Sequence, residues 1–247
     1  MGTNTDAVNE LEPAPAKVSL WEDFVDIFYA PSSVFARRAD GKFGLPLLIL
    51  VVACVILYFL TRNAMQPIMD AEFARQSAAA LRKNPSLTAE QLATGRGFFE
   101  KLAPIFVAIV ITISALGTGL VLWLVGKLFD AKESVAVAMT IAVYAAVPRI
   151  LQFLVQGAQA LIMSPDSLNA TNSVALNLAR FMDPDKTSPI LIALGSRVDV
   201  FTIWITVLLG IGLHVLGKIP KRQAYIAAGI TWLIGAIPVV FGALRAA

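Results

Sequence analysis

The segment Leu45–Thr61, LPLLILVVACVILYFLT, decides the fold of this chain. It contains no Asp, Glu, Lys or Arg. The hydrocarbon core of a bilayer is about 30 Å thick, and a helix that crosses it needs roughly 20 mainly apolar residues. Four more apolar segments follow, and none alternates polar and apolar residues as a membrane β-barrel strand does. We predict five transmembrane helices, at about 45–61, 104–126, 135–163, 200–217 and 224–244.

Composition supports an all-α integral membrane protein, with the lipid bilayer as its environment. Hydrophobic residues make up 57% of the 247 residues and charged residues 15%, against about 25% charged in a typical soluble domain. The net charge of +3 is too small and too scattered to indicate a nucleic-acid partner. With one cysteine, Cys54, and one histidine, His214, we expect no metal site and no cofactor.

The segments before the first span are polar or amphipathic. Residues 1–17 lack the apolar core of a signal peptide and are rich in Pro and Ala, so we predict a disordered tail. Over 18–44 we predict an interfacial amphipathic helix, ended by Pro31, and a linker. Its apolar face would carry Trp21, Phe24, Val25 and Phe28, and its polar face Glu22, Asp23 and Asp26.

The connection between the first and second spans is long and polar. Gln66 to Lys83 is rich in alanine, which favours a helix. Asn84-Pro85 would end that helix, and Thr88 with Gln91 has the spacing of a capping box that starts another. We therefore predict a helical hairpin outside the bilayer, between spans 1 and 2 of the membrane domain, residues 45–247.

The third span contains the polar pattern of greatest interest. Pro148 predicts a kink. After it, Arg149, Gln152, Gln156 and Gln159 follow at spacings of three, four and three, which places them on one helical face. This polar stripe could line a cavity, bind a lipid headgroup or hold a partner helix, because a charge within a span suggests function. It could also face water or form structural hydrogen bonds between helices.

Asp199 stands just before the fourth span. Its position predicts an N-cap of that helix. It is also a possible ion-pair partner of Arg149, if the two helix ends approach each other.

Two short loops determine the predicted orientation. GKLFDAKES (126–134) contains two lysines and GKIPKRQ (217–223) three basic residues, and the positive-inside rule counts Lys and Arg mainly in short loops. We therefore predict a cytoplasmic N-terminus and an external C-terminus, in a bacterial inner membrane.

Several short motifs occur in an order that resembles a known family. They are FYAPSSVF (Phe28 to Phe35), YAAVP (Tyr144 to Pro148), FTIW (Phe201 to Trp204), GIGL (Gly210 to Leu213) and KRQAY (Lys221 to Tyr225). The pattern resembles the Yip (Ypt-interacting protein) domain family, in its bacterial branch, over roughly residues 18 to 244. Eukaryotic members are linked to Rab GTPases, vesicle trafficking and membrane shaping. The resemblance implies a role in membrane organisation.

No catalytic pattern is visible. The sequence has no Gly-x-Ser-x-Gly nucleophile elbow and no pair of carboxylates within a span, so we expect no catalytic residues and no enzyme. We expect instead a noncatalytic scaffold or partner-binding protein in membrane organisation, with a membrane-protein partner or self-association. The alternative is a lipid or small-molecule transporter that uses the polar stripe on span 3.

Overall fold

The computed structural model describes residues 19–246, so the predicted tail over 1–17 lies outside the described residues. Apart from one isolated β-bridge, between Asn177 and Asp199, the described secondary structure is helical. The α-helices are α1 (Leu20–Asp26), α2 (Pro31–Arg37), α3 (Gly44–Thr61), α4 (Gln66–Lys83), α5 (Ala89–Lys127), α6 (Val135–Ala145), α7 (Pro148–Ile162), α8 (Pro189–Arg197), α9 (Val200–Gly217), α10 (Lys221–Ile234) and α11 (Ile237–Ala246).

Five helical segments are long and apolar enough to cross a membrane, which confirms the predicted five-helix bundle. They are α3, α5, α6 with α7, α9, and α10 with α11. The first and fourth match the predicted bounds to within one residue. The second does not begin as a helix at Pro104, because that proline lies inside α5, which starts at Ala89.

Two of the spans are interrupted near a proline. The third breaks between Ala145 and Pro148, where the sequence predicts a kink. Proline has no N–H to donate and its ring crowds the preceding turn, so the helix restarts there with the proline in its first turn. The fifth span breaks in the same way between Ile234 and Ile237, just before Pro238. This second break was not predicted from the sequence.

The best-packed part of the bundle surrounds α6, which lies against α5 and α9. Every residue from Thr140 to Pro148 is buried. Small residues allow this close approach, since apolar helices in a bilayer associate chiefly through tight packing. A methyl group at Gly119 of α5 would lie only 2.9 Å from Met139 Cα and 3.2 Å from the Ala138 carbonyl oxygen. Gly212 of α9 similarly faces Ile141.

The segment before the first span forms two short helices where the sequence analysis predicted one. The capping box of Ser19 and Glu22 begins α1, and Pro31 begins α2 rather than ending the preceding helix. The predicted division into faces also differs. Asp23 is fully buried and Trp21 is 69% exposed. The reason is that Asp23 has arginine partners on α2, which the pattern of α1 alone cannot reveal.

The connection between spans 1 and 2 is the predicted helical hairpin. Its first arm is α4 and its second arm is the N-terminal part of α5. Both halves of the capping box are present, with the backbone N–H of Thr88 donating to Gln91 Oε1 at 2.9 Å and that of Gln91 donating to Thr88 Oγ1 at 3.2 Å. α5 has 39 residues, or about 58 Å at 1.5 Å per residue. This is nearly twice the thickness of the hydrocarbon core, so a large part of α5 belongs to the hairpin.

Candidate functional site

The four residues of the predicted polar stripe all lie on α7 and are all half-buried, but they have different surroundings. Arg149 Nη2 donates to Ser114 Oγ of α5 at 3.5 Å. Gln159 Nε2 donates to the Val174 carbonyl at 2.8 Å, and its oxygen accepts from Arg180. Gln156 faces a large cavity. Gln152 forms no hydrogen bond with any residue of the described range. The stripe therefore shares one helical face without forming one site.

Asp199 is the N-cap of α9, as predicted. Its Oδ1 accepts from the backbone N–H groups of Phe201 and Thr202, both at 3.0 Å. Within residues 19–246 it forms no salt bridge with Arg149, although the two charges are close enough to interact electrostatically. Asp199 Oδ2 is buried and has no hydrogen-bond partner among the described residues.

Arg197 joins the end of α8 to the break in the fifth span. Its Nη2 donates to the Trp232 carbonyl oxygen at 2.9 Å, and its guanidinium lies 5.5 Å from the centre of the Trp232 ring. Burial, with the nearby positive charge of Arg149, lowers the pKa of Arg197. The hydrogen bond from Arg197 supplies a donor to the Trp232 carbonyl near the C-terminal end of α10, where the helical hydrogen-bond pattern stops.

A cavity of about 960 Å³ separates the two arms of the hairpin. We call it the hairpin cavity. The last turns of α3 and the middle of α7 complete its walls, which include Tyr58, Phe153 and Gln156. This volume lies at the upper end of the range of about 300–1,000 Å³ found for small-molecule sites. Most of its lining is apolar, since side chains such as Phe73, Phe99 and Phe106 contribute to it.

Arg96 connects the two arms across this cavity. From α5 it forms an ion pair with Asp70 on α4, and its guanidinium lies 4.8 Å from the centre of the Phe73 ring. It also pairs with Glu100 on its own helix, at 2.5 Å between Nε and Oε1. We call these contacts the Arg96 bridge. The hydrogen bond from Arg96 lowers the pKa of Asp70.

The other charged residues that line the cavity differ in whether they are paired. Glu72 pairs with Arg75 at 3.1 Å and accepts a hydrogen bond from the Thr171 backbone at 3.1 Å. Arg62 forms no ion pair with any residue in the range 19–246, and lies over the Phe59 ring at 5.7 Å from its centre. Among the described residues that line the hairpin cavity, Arg62 is therefore the charged side chain without an ion-pair partner.

A buried charge cluster, which the sequence analysis missed, lies at the N-terminal side of the bundle. Asp23 accepts from Arg37 Nη2 at 2.7 Å and from Arg38, and the Tyr144 hydroxyl donates to it at 3.4 Å. Arg37 also pairs with the more exposed Asp26 at 2.7 Å. We call this the Asp23 cluster. These bonds raise the pKa of Arg37. The Arg-Arg pair fourteen and fifteen residues after Asp23 was the available sequence signal.

Glu133 is a second buried carboxylate that the sequence analysis did not select. It lies in the short loop between α5 and α6, is 4% exposed, and neither side-chain oxygen has a hydrogen-bond partner within residues 19–246. Burial raises its pKa. Gly126 and Gly217 leave space for this side chain, since a methyl group at either would come within 3 Å of it. No group of three or more His, Cys, Asp or Glu that could hold a metal lies in the described part of the chain.

Together, the five apolar helical segments and the extramembrane hairpin define a multi-pass α-helical membrane protein. A family model for the Yip1 domain matches residues 25–242. The chain therefore belongs to the Yip1 domain family, which confirms the family-level resemblance of the sequence motifs. No curated protein and no solved structure matches the chain.

Proposed function

We propose that this Yip1-family chain is a noncatalytic scaffold that binds a membrane-protein partner through its hairpin. The observation that carries the proposal is that α4 and the N-terminal part of α5 extend beyond the part of α5 that crosses the membrane. An exposed aromatic pair lies on its second arm, where Phe98 is 60% and Phe99 61% exposed, with ring centres 5.9 Å apart. Exposed aromatic side chains are enriched in protein–protein interfaces. Phe98 does not line the hairpin cavity, so it is available to another protein.

The surroundings of the polar stripe favour the scaffold over the transporter alternative. Arg149 contacts α5, Gln159 supports the loop after α7, and only Gln156 of the four lines the hairpin cavity. A transporter needs polar residues around one site that opens to each side in turn. Arg149→Ala combined with Gln152→Ala should abolish transport of the lipid or small molecule if the stripe forms a transport pathway. If the stripe is structural, the double variant should lower only the amount of folded protein.

Photo-crosslinking in native membranes tests the scaffold. A photoreactive amino acid replaces Phe98, and the matched control places it at Tyr29, which is 83% exposed but lies between α1 and α2. We expect a single, stoichiometric protein adduct from position 98 and none from position 29. Equal labelling from both positions, or no protein adduct from position 98, would contradict the proposal.

We also propose that the chain belongs to the bacterial branch of the family and lies in the inner membrane with its N-terminus in the cytoplasm. The lysine and arginine residues of the short loops over 126–134 and 217–223 support this orientation. The test is a pair of reporters fused to the C-terminus, one active only in the cytoplasm and one only outside. Activity of the cytoplasmic reporter would overturn the orientation.

A further inference from the structure

We propose that the hairpin cavity binds one anionic phospholipid drawn from the surrounding bilayer. This inference goes beyond the scaffold and does not depend on it, because Phe98 lies outside the cavity. It rests on three properties of the cavity: its continuity with the membrane-spanning surface, its apolar lining, and an arginine, Arg62, that has no carboxylate partner within residues 19–246.

The cavity runs from the membrane-spanning helices into the extramembrane hairpin. Its lower wall includes Val110 and Ile111 of α5 and Phe153 of α7, which belong to apolar spans. Its upper wall includes Gln76 and Ala80 of α4, which is not one of the candidate spans. Val110 is 62% exposed, so the cavity borders a surface that lipid chains cover in the bilayer. A molecule with both an apolar chain and a polar end can enter it laterally.

The lining matches an acyl chain better than a polar solute. Aromatic and aliphatic side chains cover most of the wall from the spans to the Arg96 bridge, with Thr61 of α3 and Gln156 of α7 as polar exceptions. The polar side chains that point into the cavity lie mainly on the hairpin, where Gln66 begins α4, and at the end of α3, where Arg62 stands. This polarity gradient has the direction of a phospholipid, with its chains toward the spans and its headgroup toward the hairpin.

The charged side chains of the cavity lining determine which lipid headgroup binds. Glu72 and Glu100 are each paired with an arginine, and Arg96 is paired with two carboxylates. Arg62, which follows the last residue of span 1, is the one arginine of the described lining without a carboxylate partner, whereas the Arg96 bridge holds one carboxylate more than it has arginines. A guanidinium binds phosphate through two parallel hydrogen bonds. A net anionic headgroup compensates this charge, whereas a zwitterionic one brings a cation of its own to the same place.

The first test fills the cavity by enlarging one side chain of its wall. Gly95 lines the cavity, and a Cβ added there would meet no other atom within 4 Å, so Gly95→Trp places an indole in the space a lipid would occupy. Gly97→Trp is the matched control, because Gly97 has equally open surroundings and does not line the cavity. Phospholipid that remains bound after purification in detergent is measured by mass spectrometry. We expect retained lipid in the wild type and G97W, and loss to background in G95W.

Other outcomes of this experiment overturn the proposal. Retention of the same lipid by G95W would place the lipid elsewhere. Recovery of only free fatty acid, or of no amphiphile, from the wild type would also overturn it.

A second test concerns the headgroup. Purified protein is offered vesicles of phosphatidylglycerol mixed with phosphatidylcholine, and the captured lipid is identified. We expect the wild type and the control Arg82→Gln, an exposed residue outside the cavity, to enrich phosphatidylglycerol. Arg62→Gln should lose this enrichment. An unchanged preference in R62Q would refute the role of Arg62.

A third measurement needs no substitution, in case a variant fails to fold. Wild-type protein is illuminated in vesicles that contain a photoactivatable phosphatidylglycerol. Adducts on cavity residues of α4, such as Met69 and Ala80, support the proposal, because α4 is not a candidate span. Adducts confined to the outward faces of the spans, for example at Leu48 and Ile203, would overturn it.

Discussion

The surroundings of α6 and the hairpin represent two different ways of holding helices together. Around α6 every residue from Thr140 to Pro148 is buried, and glycines on α5 and α9 bring the helices into direct contact. In the hairpin a cavity of about 960 Å³ separates the arms, and Arg96 connects them through an ion pair and a ring contact. Close packing fixes one geometry, whereas a bridge of exposed charges permits several. The difference indicates that the core is the static region and the hairpin the adaptable one.

The largest expected effect comes from breaking the Asp23 cluster, which attaches α1 and α2 to the core. Asp23→Asn removes the buried carboxylate that neutralises Arg37 and Arg38. Removing one partner of a buried ion pair costs about 3–5 kcal/mol, and because both arginines are partly exposed we expect about 3 kcal/mol. The measurement is the free energy of unfolding in mixed micelles.

Asp26→Asn is the control for this change. Asp26 pairs with the same Arg37 at the same 2.7 Å, but its side chain is 38% exposed. Exposed ion pairs contribute about 0–1 kcal/mol, so D26N should remain close to the wild type. If both variants lose equal stability, the contribution of the Asp23 cluster does not depend on its burial.

The second effect concerns the contact between α5 and α6. Gly119→Ala forces a methyl group against the Met139 backbone, which a side-chain rotation cannot relieve. Overpacking of this kind costs about 1–3 kcal/mol. Gly117→Ala is the matched control, two residues earlier on the same helix, since a Cβ there meets nothing within 4 Å. Thermal unfolding followed by size-exclusion chromatography should separate the two variants, and equal melting temperatures would show that the glycine contact is not tight.

A smaller effect on stability, with a clear effect on geometry, is expected at the Arg96 bridge. Arg96→Gln should change the free energy of unfolding by less than about 1 kcal/mol, because the pair with Asp70 is exposed. It should lengthen and broaden the distance between spin labels at Ala78 on α4 and Ala93 on α5. Both positions are exposed, and the native Cys54 is buried and should not compete for the label. An unchanged distance distribution would mean that the arms are held by something other than Arg96.

The smallest effect is the pH dependence of the same distance. Because Arg96 lowers the pKa of Asp70, the ion pair persists through the usual range of aspartate titration and is lost as pH falls through the lowered value. Arm separation should therefore begin only below about pH 4, the ordinary aspartate pKa, and should be reversible. Asp70→Asn should remove this dependence and leave the arms apart at neutral pH. Separation that begins near pH 6 would point to another group.

Most features determined by neighbouring residues along the chain were predictable from sequence, with the break before Pro238 as an exception, and features determined by distant partners were not. The break at Pro148, the caps at Thr88 and Asp199, and the lengths of the spans each follow from local chemistry. The burial of Asp23 was not predictable, because it depends on α2 folding back onto α1. The different surroundings of the four residues of the polar stripe also depend on distant parts of the chain. Residues on one helical face meet different neighbours, since the surrounding helices and loops lie at different heights along α7.

The continuity of α5 has a mechanical consequence. Thirty residues separate Gly119, where α5 is tightly held against α6, from Ala89 at the hairpin tip, a distance of about 45 Å at 1.5 Å per residue. A tilt of a few degrees at Gly119 therefore displaces Ala89 by several ångströms. Between these two residues, Pro104 is the one position of α5 that lacks a backbone N–H donor. A fluorophore at the tip would thus report rearrangements deep in the bilayer that are too small to detect where they arise.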